Sequence, residues 1–192
     1  MKNNNIVRLG GILCLISAIA AGVLAFTNDF TKDKIAEVEL KASLDPAVLE
    51  MVMPGSDTFL PYEDTALIDT IKAENGKFVD LMVPVDGSGN QMGYAIKTLS
   101  TVAGFGGDIE LFIGVSPEGK ITGIAVTQIL ETAGLGTKVA EPAFKDQFTG
   151  KDLNAEITES DVNMISGATI SSKSFTSAVS NAVNIYSQYL NK

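Results

Sequence analysis

The stretch FVDLMVPVDGSGNQMGYAIKTL, Phe78 to Leu99, decides the reading of the fold. Two runs rich in branched and aromatic residues, Phe78 to Val85 and Gln91 to Leu99, flank Asp86-Gly87-Ser88-Gly89-Asn90. Short apolar runs around a Gly/Asp/Asn cluster predict a β-hairpin. Two further runs, Ile109 to Val115 and Ile121 to Ile129, flank Pro117-Glu118-Gly119-Lys120 in the same way. The spacings are too short for crossover helices, so the strands pair antiparallel. A helical piece is expected from Ala140 to Phe148, and a last helix from about Ile170 to Tyr189. The last helix carries an apolar stripe at Phe175, Ala178, Val179, Ala182, Ile185, Tyr186 and Tyr189, with helical spacing. The fold class is therefore α+β: an antiparallel β-sheet packed with helices, preceded by one N-terminal transmembrane helix.

That first helix is read from LGGILCLISAIAAGVLAF, residues 9–26, which carries no charge over 18 positions. This reaches membrane-spanning length. A cleaved signal peptide is the competing reading, but its apolar core is normally about 7–15 residues long. Ala18-Ile19-Ala20 comes too early for a cleavage site, and Leu13 before Cys14 argues against a lipoprotein box. Lys2 and Arg8 precede the segment, while Lys32, Lys34 and Lys41 follow it, so charge alone leaves the orientation open. Residues 33–55 then show a broken helical pattern: Ile35, Val38, Leu40, Leu44, Val48, Leu49 and Val52. Asp45-Pro46 interrupts it and Pro54-Gly55 stops it. The expectation is a stalk that packs on the domain. The chain divides into an anchor at 1–27, a helical connector at 28–60 and a globular domain at 61–192.

Composition excludes several functions. Fourteen Lys and Arg stand against 23 Asp and Glu, for a net charge of -9. Nucleic acid is not a partner, because binding its phosphates needs clustered basic residues. The chain has no histidine and one cysteine, Cys14. A Ser-His-Asp triad, a cysteine zinc site, a histidine metal cluster and an intramolecular disulfide are all excluded. Any difficult chemistry must come from a cofactor or from carboxylates.

Three glycine-bearing segments stand out: Gly104-Phe105-Gly106-Gly107, Glu131-Thr132-Ala133-Gly134-Leu135-Gly136-Thr137-Lys138, and Ser166-Gly167-Ala168-Thr169. Neither of the first two is a Walker loop or a dinucleotide fingerprint. The first two read alone as turns. The third opens the last helix, where unpaired N–H groups and the positive dipole end make a seat for a phosphate. Ser and Thr there are equally the residues that cap helices. The residues themselves leave both readings open.

The third segment resembles the [S/T]-G-A-[S/T] flavinylation motif of the FMN-binding domain family. The first resembles that family's G-[Y/F]-G-G, and Glu131 to Gly136 its E-T-P-G-L-G; the order is the family's. The resemblance covers roughly residues 30–190 and is most similar to the G subunits of Rnf electron-transport complexes. It implies that the 61–192 domain binds FMN, attached covalently through its phosphate to Thr169. It also implies cofactor contacts from Ser166, Gly167 and Ala168, from Glu131, Thr132, Gly134, Leu135, Gly136, Thr137 and Lys138, and from Gly104 and Gly106.

The implied role is a flavin relay in a complex passing electrons between ferredoxin and NAD while moving Na+ or H+. The implied partners are the other membrane, flavin and iron-sulfur subunits, a flavin transferase during maturation, and membrane lipid. The implied topology in the cytoplasmic membrane is N-terminus inside and domain outside. Ala133 departs from the family's proline, and Asn163 stands where Asp is common. Alternatives are the C subunit of a Na+-translocating NADH:quinone reductase, an anchored flavin reductase, and a non-redox binding module.

Overall fold

The computed structural model describes residues 3–43 and 45–191. It divides into two compact units, Met1–Lys41 and Ala42–Lys192. The first is helical: α1 runs Asn3–Ser43. Its segment Val7–Thr31 is exposed and is long and apolar enough to cross a membrane. The side chains expected to form the connector stripe at Ile35, Val38, Leu40 and Leu44 lie outside the described residues.

The second unit is a five-stranded antiparallel meander in sheet order β1-β2-β3-β4-β5. The strands are β1 (Thr58–Pro61), β2 (Phe78–Val85), β3 (Tyr94–Leu99), β4 (Glu110–Val115) and β5 (Ile121–Gln128). Register carries one apolar row across it: Leu81 pairs with Ile96, Ile96 with Ile113, and Ile113 with Ile124. This row belongs to the larger core, closed by α5 (Thr169–Ile185). Phe175 of α5 meets Phe144 and Phe148 with ring centroids 5.4 and 5.3 Å away. Because side chains alternate along a strand, Met82, Ala95, Phe112 and Ala125 form a second core on the opposite face.

There α2 (Pro46–Val52) contributes Leu49 and Val52. Its end approaches the sheet over the cross-strand pair Gly114 and Gly123. A Cβ on Gly114 would fall on the Val52 carbonyl oxygen, and one on Gly123 on that of Met51. Thr122 donates a hydrogen bond to the Val52 carbonyl at 2.7 Å. Of the expected connector, Pro46–Val52 is thus part of the globular unit and packs on its sheet.

The four expected strands are present, β2 with the expected bounds and the other three with shorter ends. β3 begins at Tyr94 rather than Gln91, because Gly93 takes φ 137° against the Val115 carbonyl. Two elements were not anticipated. β1 is a four-residue edge strand ending in proline, and α3 (Thr65–Glu74) is a capped helix with one fully buried side chain, Ile71. The helix expected over 140–148 is instead a 3-10 turn at Gly136–Ala140, the four-residue α4 (Pro142–Lys145) and a second 3-10 turn at Asp146–Phe148. Pro142 supplies no N–H to extend a helix from before it. The last helix begins at Thr169 and passes at Tyr186 into a π-helical turn, Tyr186–Leu190.

Candidate flavin site

The three glycine-bearing segments meet. One leaves the end of β3 and leads into β4, the second follows β5, and the third opens α5. The first is closed by Ser100, whose N–H donates to the Ile109 carbonyl while its hydroxyl accepts from the Ile109 N–H. The Val102 N–H donates to the Ser177 hydroxyl at 3.1 Å, tying this loop to α5.

Between the segments lies a cleft of about 400 Å³. Phe105 comes from the first segment, Glu131, Thr132, Leu135 and Gly136 from the second, and Gly167 to Ser171 from the third. The volume falls within the range of small-molecule sites, roughly 300–1,000 Å³. Its walls are largely apolar: Phe105 is 76% exposed, Ile170 54% and Leu135 43%. Apart from the buried Glu131, no charged residue occurs in 100–107, 131–137 or 164–172.

The start of α5 is unusual. Ala168 occupies the capping position, and no side chain caps the helix. Of the two readings left open for this segment, a hydroxyl cap is not what its side chains form. Ser172 is used elsewhere: its hydroxyl accepts from the Ile165 N–H and donates to the Ala168 carbonyl, bracing the turn. Gly167 takes φ 81°, which an L-residue with a Cβ resists. Thr169 is exposed on the cleft, and among the described residues nothing hydrogen-bonds its hydroxyl. The first N–H groups of α5 lack intrahelical acceptors, as at any helix start.

The expected site residues separate into groups. Glu131, Thr132, Leu135, Gly136, Gly167, Ala168 and Thr169 line the cleft. Gly104 and Gly106 lie behind it, packed on Glu131 and Leu130. Thr137 and Gly134 bond each other across their own turn, with the Gly134 N–H donating to the Thr137 hydroxyl at 2.9 Å. Ser166 is exposed beside the cleft but is not part of its lining. Lys138 lines a separate hollow with Phe144 and Asn163. Phe105, Ile170 and Ser171 line the cleft without having been singled out as contacts. An aromatic side chain held between glycines in an exposed turn was the available signal for Phe105. Among the described residues no group of His, Cys, Asp or Glu side chains is arranged to hold a metal ion.

The flavin class comes from comparison with known proteins: residues 104–184 match the FMN-binding domain family. Residues 1–45 match the RnfG N-terminal region. The G subunit of the Na+-translocating ferredoxin:NAD+ oxidoreductase complex of Acetobacterium woodii is 34% identical over 93% of this chain and 90% of that protein. The G subunit of an ion-translocating oxidoreductase complex from Methanosarcina acetivorans is 31% identical, covering 91% of each. The chain belongs to the family of G subunits of ion-translocating oxidoreductase complexes. Among solved structures, the C subunit of the Na+-translocating NADH-quinone reductase from Parabacteroides distasonis is 22% identical with a TM-score of 0.49, over 73% of this chain and 76% of that one.

Proposed function

We propose that this chain is the flavin station of an ion-translocating ferredoxin:NAD+ oxidoreductase, with FMN joined by a phosphoester to the Thr169 hydroxyl. The observation that carries the proposal is the convergence of three distant segments on one cleft that contains the exposed Thr169 hydroxyl, unpartnered among the described residues. FMN, when bound, supplies the electron-carrying chemistry. The chain supplies attachment and surroundings. Thr169 provides the linking oxygen, and the uncapped N–H groups of the first turn of α5 receive the phosphate. Leu135, Phe105 and Ile170 offer apolar walls to a flat ring. Gly167 and Ala168 leave the hydroxyl open to a flavin transferase. An electron carrier needs no general base, which suits a chain without histidine.

The candidate span Val7–Thr31, the one found among the described residues, anchors the chain in the cytoplasmic membrane, among lipid and the other subunits of the complex. The N-terminus lies inside and the domain outside. Protease added to sealed, right-side-out cells should therefore digest residues 42–192; full protection would reverse the topology.

The attachment is tested by intact mass. The full chain, co-expressed with a flavin transferase, should gain one FMN less one water. Thr169→Ala should gain nothing. A flavin adduct that survives Thr169→Ala moves the linkage elsewhere, and no adduct on either chain removes the proposal.

A further inference from the structure

Glu131 is among the few buried charged residues of the globular unit, with 8% of its surface exposed. Its carboxylate sits where the three segments touch. Oε1 accepts from the Gly106 N–H at 3.1 Å. Oε2 accepts from the Ser171 hydroxyl at 2.6 Å, and Ser171 is itself buried. The surrounding backbone is cut to fit this carboxylate. A Cβ on Gly104 would collide with Oε1. A Cβ on Gly136 would lie 2.6 Å from Oε2 and 2.7 Å from the Ser171 hydroxyl. One carboxylate thus joins the turn that carries Phe105 to the first turn of α5, across the turn that carries Leu135. A buried carboxylate is costly unless its oxygens are satisfied; here one is met by the Gly106 N–H behind the cleft and the other by the Ser171 hydroxyl in its wall.

Resting on the flavin reading above, we propose that Glu131 is the positioning residue of the site. It holds the three walls in register before the cofactor arrives, and it places a fixed negative charge in the wall of the cleft that the cofactor enters. In a poorly hydrated wall such a charge acts more strongly than it would in water. It opposes the addition of electrons to a neighbouring ring, so it lowers the ring's reduction potential.

The test uses the full chain in detergent, with Glu131→Gln, Glu131→Ala and Ser171→Ala beside the native protein. Without flavin, amide exchange over residues 104–107 is followed by mass spectrometry. Glu131→Gln keeps an acceptor for Gly106 and an amide that donates to the Ser171 hydroxyl, so exchange there should stay within about twofold of native. Glu131→Ala should raise it at least tenfold, the factor that corresponds to about 1.4 kcal/mol of lost local stability. Ser171→Ala should fall between these, since it cuts one arm only.

With flavin attached, the reduction potential of Glu131→Gln should move positive while its visible spectrum shows a normally bound ring. A purely structural role for Glu131 would leave that potential unmoved. Native exchange over 104–107 in Glu131→Ala overturns the positioning role, and an unshifted potential in Glu131→Gln overturns the electrostatic one. The exchange arm needs no flavin. Failure of the native chain to take up FMN would therefore sink the flavin reading and the electrostatic arm, while the positioning role is still judged by exchange.

Discussion

Helices α3 and α5 begin in opposite ways. α3 opens on Asp64, whose side chain accepts from the Leu67 N–H at 3.0 Å, and α2 opens similarly on Asp45, which accepts from the Ala47 N–H at 2.8 Å. α5 is preceded by Ser166 and carries Thr169, Ser171 and Ser172 in its first turn, yet starts on Ala168 with no side-chain cap. A cap consumes the N–H groups and the side chain that a ligand would otherwise use. The uncapped helix leaves both its N–H groups and the Thr169 hydroxyl available, and its own first turn carries no acidic residue.

The largest expected effect separates the two helix starts outright. Thr169→Ala should abolish the covalent flavin while leaving unfolding stability within about 0.5 kcal/mol, as for an exposed position without packing. A clear loss of stability, measured by urea titration, would make the hydroxyl a structural group after all. Next comes Gly106→Ala. Its Cβ would fall on the Leu130 carbonyl oxygen, a backbone atom that cannot swing aside. It should cost about 1–3 kcal/mol, as overpacking does, and should lower flavin occupancy with it. Asp64→Ala should behave as the reverse of Thr169→Ala: about 1 kcal/mol of stability lost, as for other helix caps, with full flavin occupancy. A drop in occupancy would mean the two helix starts are coupled. The smallest effect belongs to Thr169→Ser, which keeps the linking oxygen and should change neither occupancy nor stability.

The sheet was legible wherever alternation was backed by a turn of defined chemistry. In the turn after β2, Asp86 accepts from the Ser88 and Asn90 N–H groups at 2.8 and 2.9 Å, which is why Asp-Gly-Ser-Gly-Asn marks the hairpin so plainly. β1 gave no such signal: TFLP is too short to alternate, and its pairing with β2 is decided by tertiary contact. α3 was hidden because its apolar positions are few and Leu67 and Ile68 are only partly buried. The meeting of the three glycine segments followed from the family likeness rather than from periodicity, since residues 104 and 169 are brought together only by the meander and α5. The role of Glu131 was not legible. Nothing in the sequence tells a carboxylate that faces a ligand from one that bonds Gly106 and Ser171, residues far from it along the chain.

The glycine pair beneath α2 bears on mechanics. Gly114 and Gly123 let the Val52 and Met51 carbonyls rest directly on the backbone of β4 and β5, where Thr122 holds them. A pull on the chain ahead of Pro46 is therefore delivered to two paired strands through main chain, with no long side chain to stretch. The cleft loops leave the far ends of those same strands. Within the globular unit, the hydrogen-bonded ladder of β4 and β5 therefore links the floor under α2 to the loops that wall the cleft.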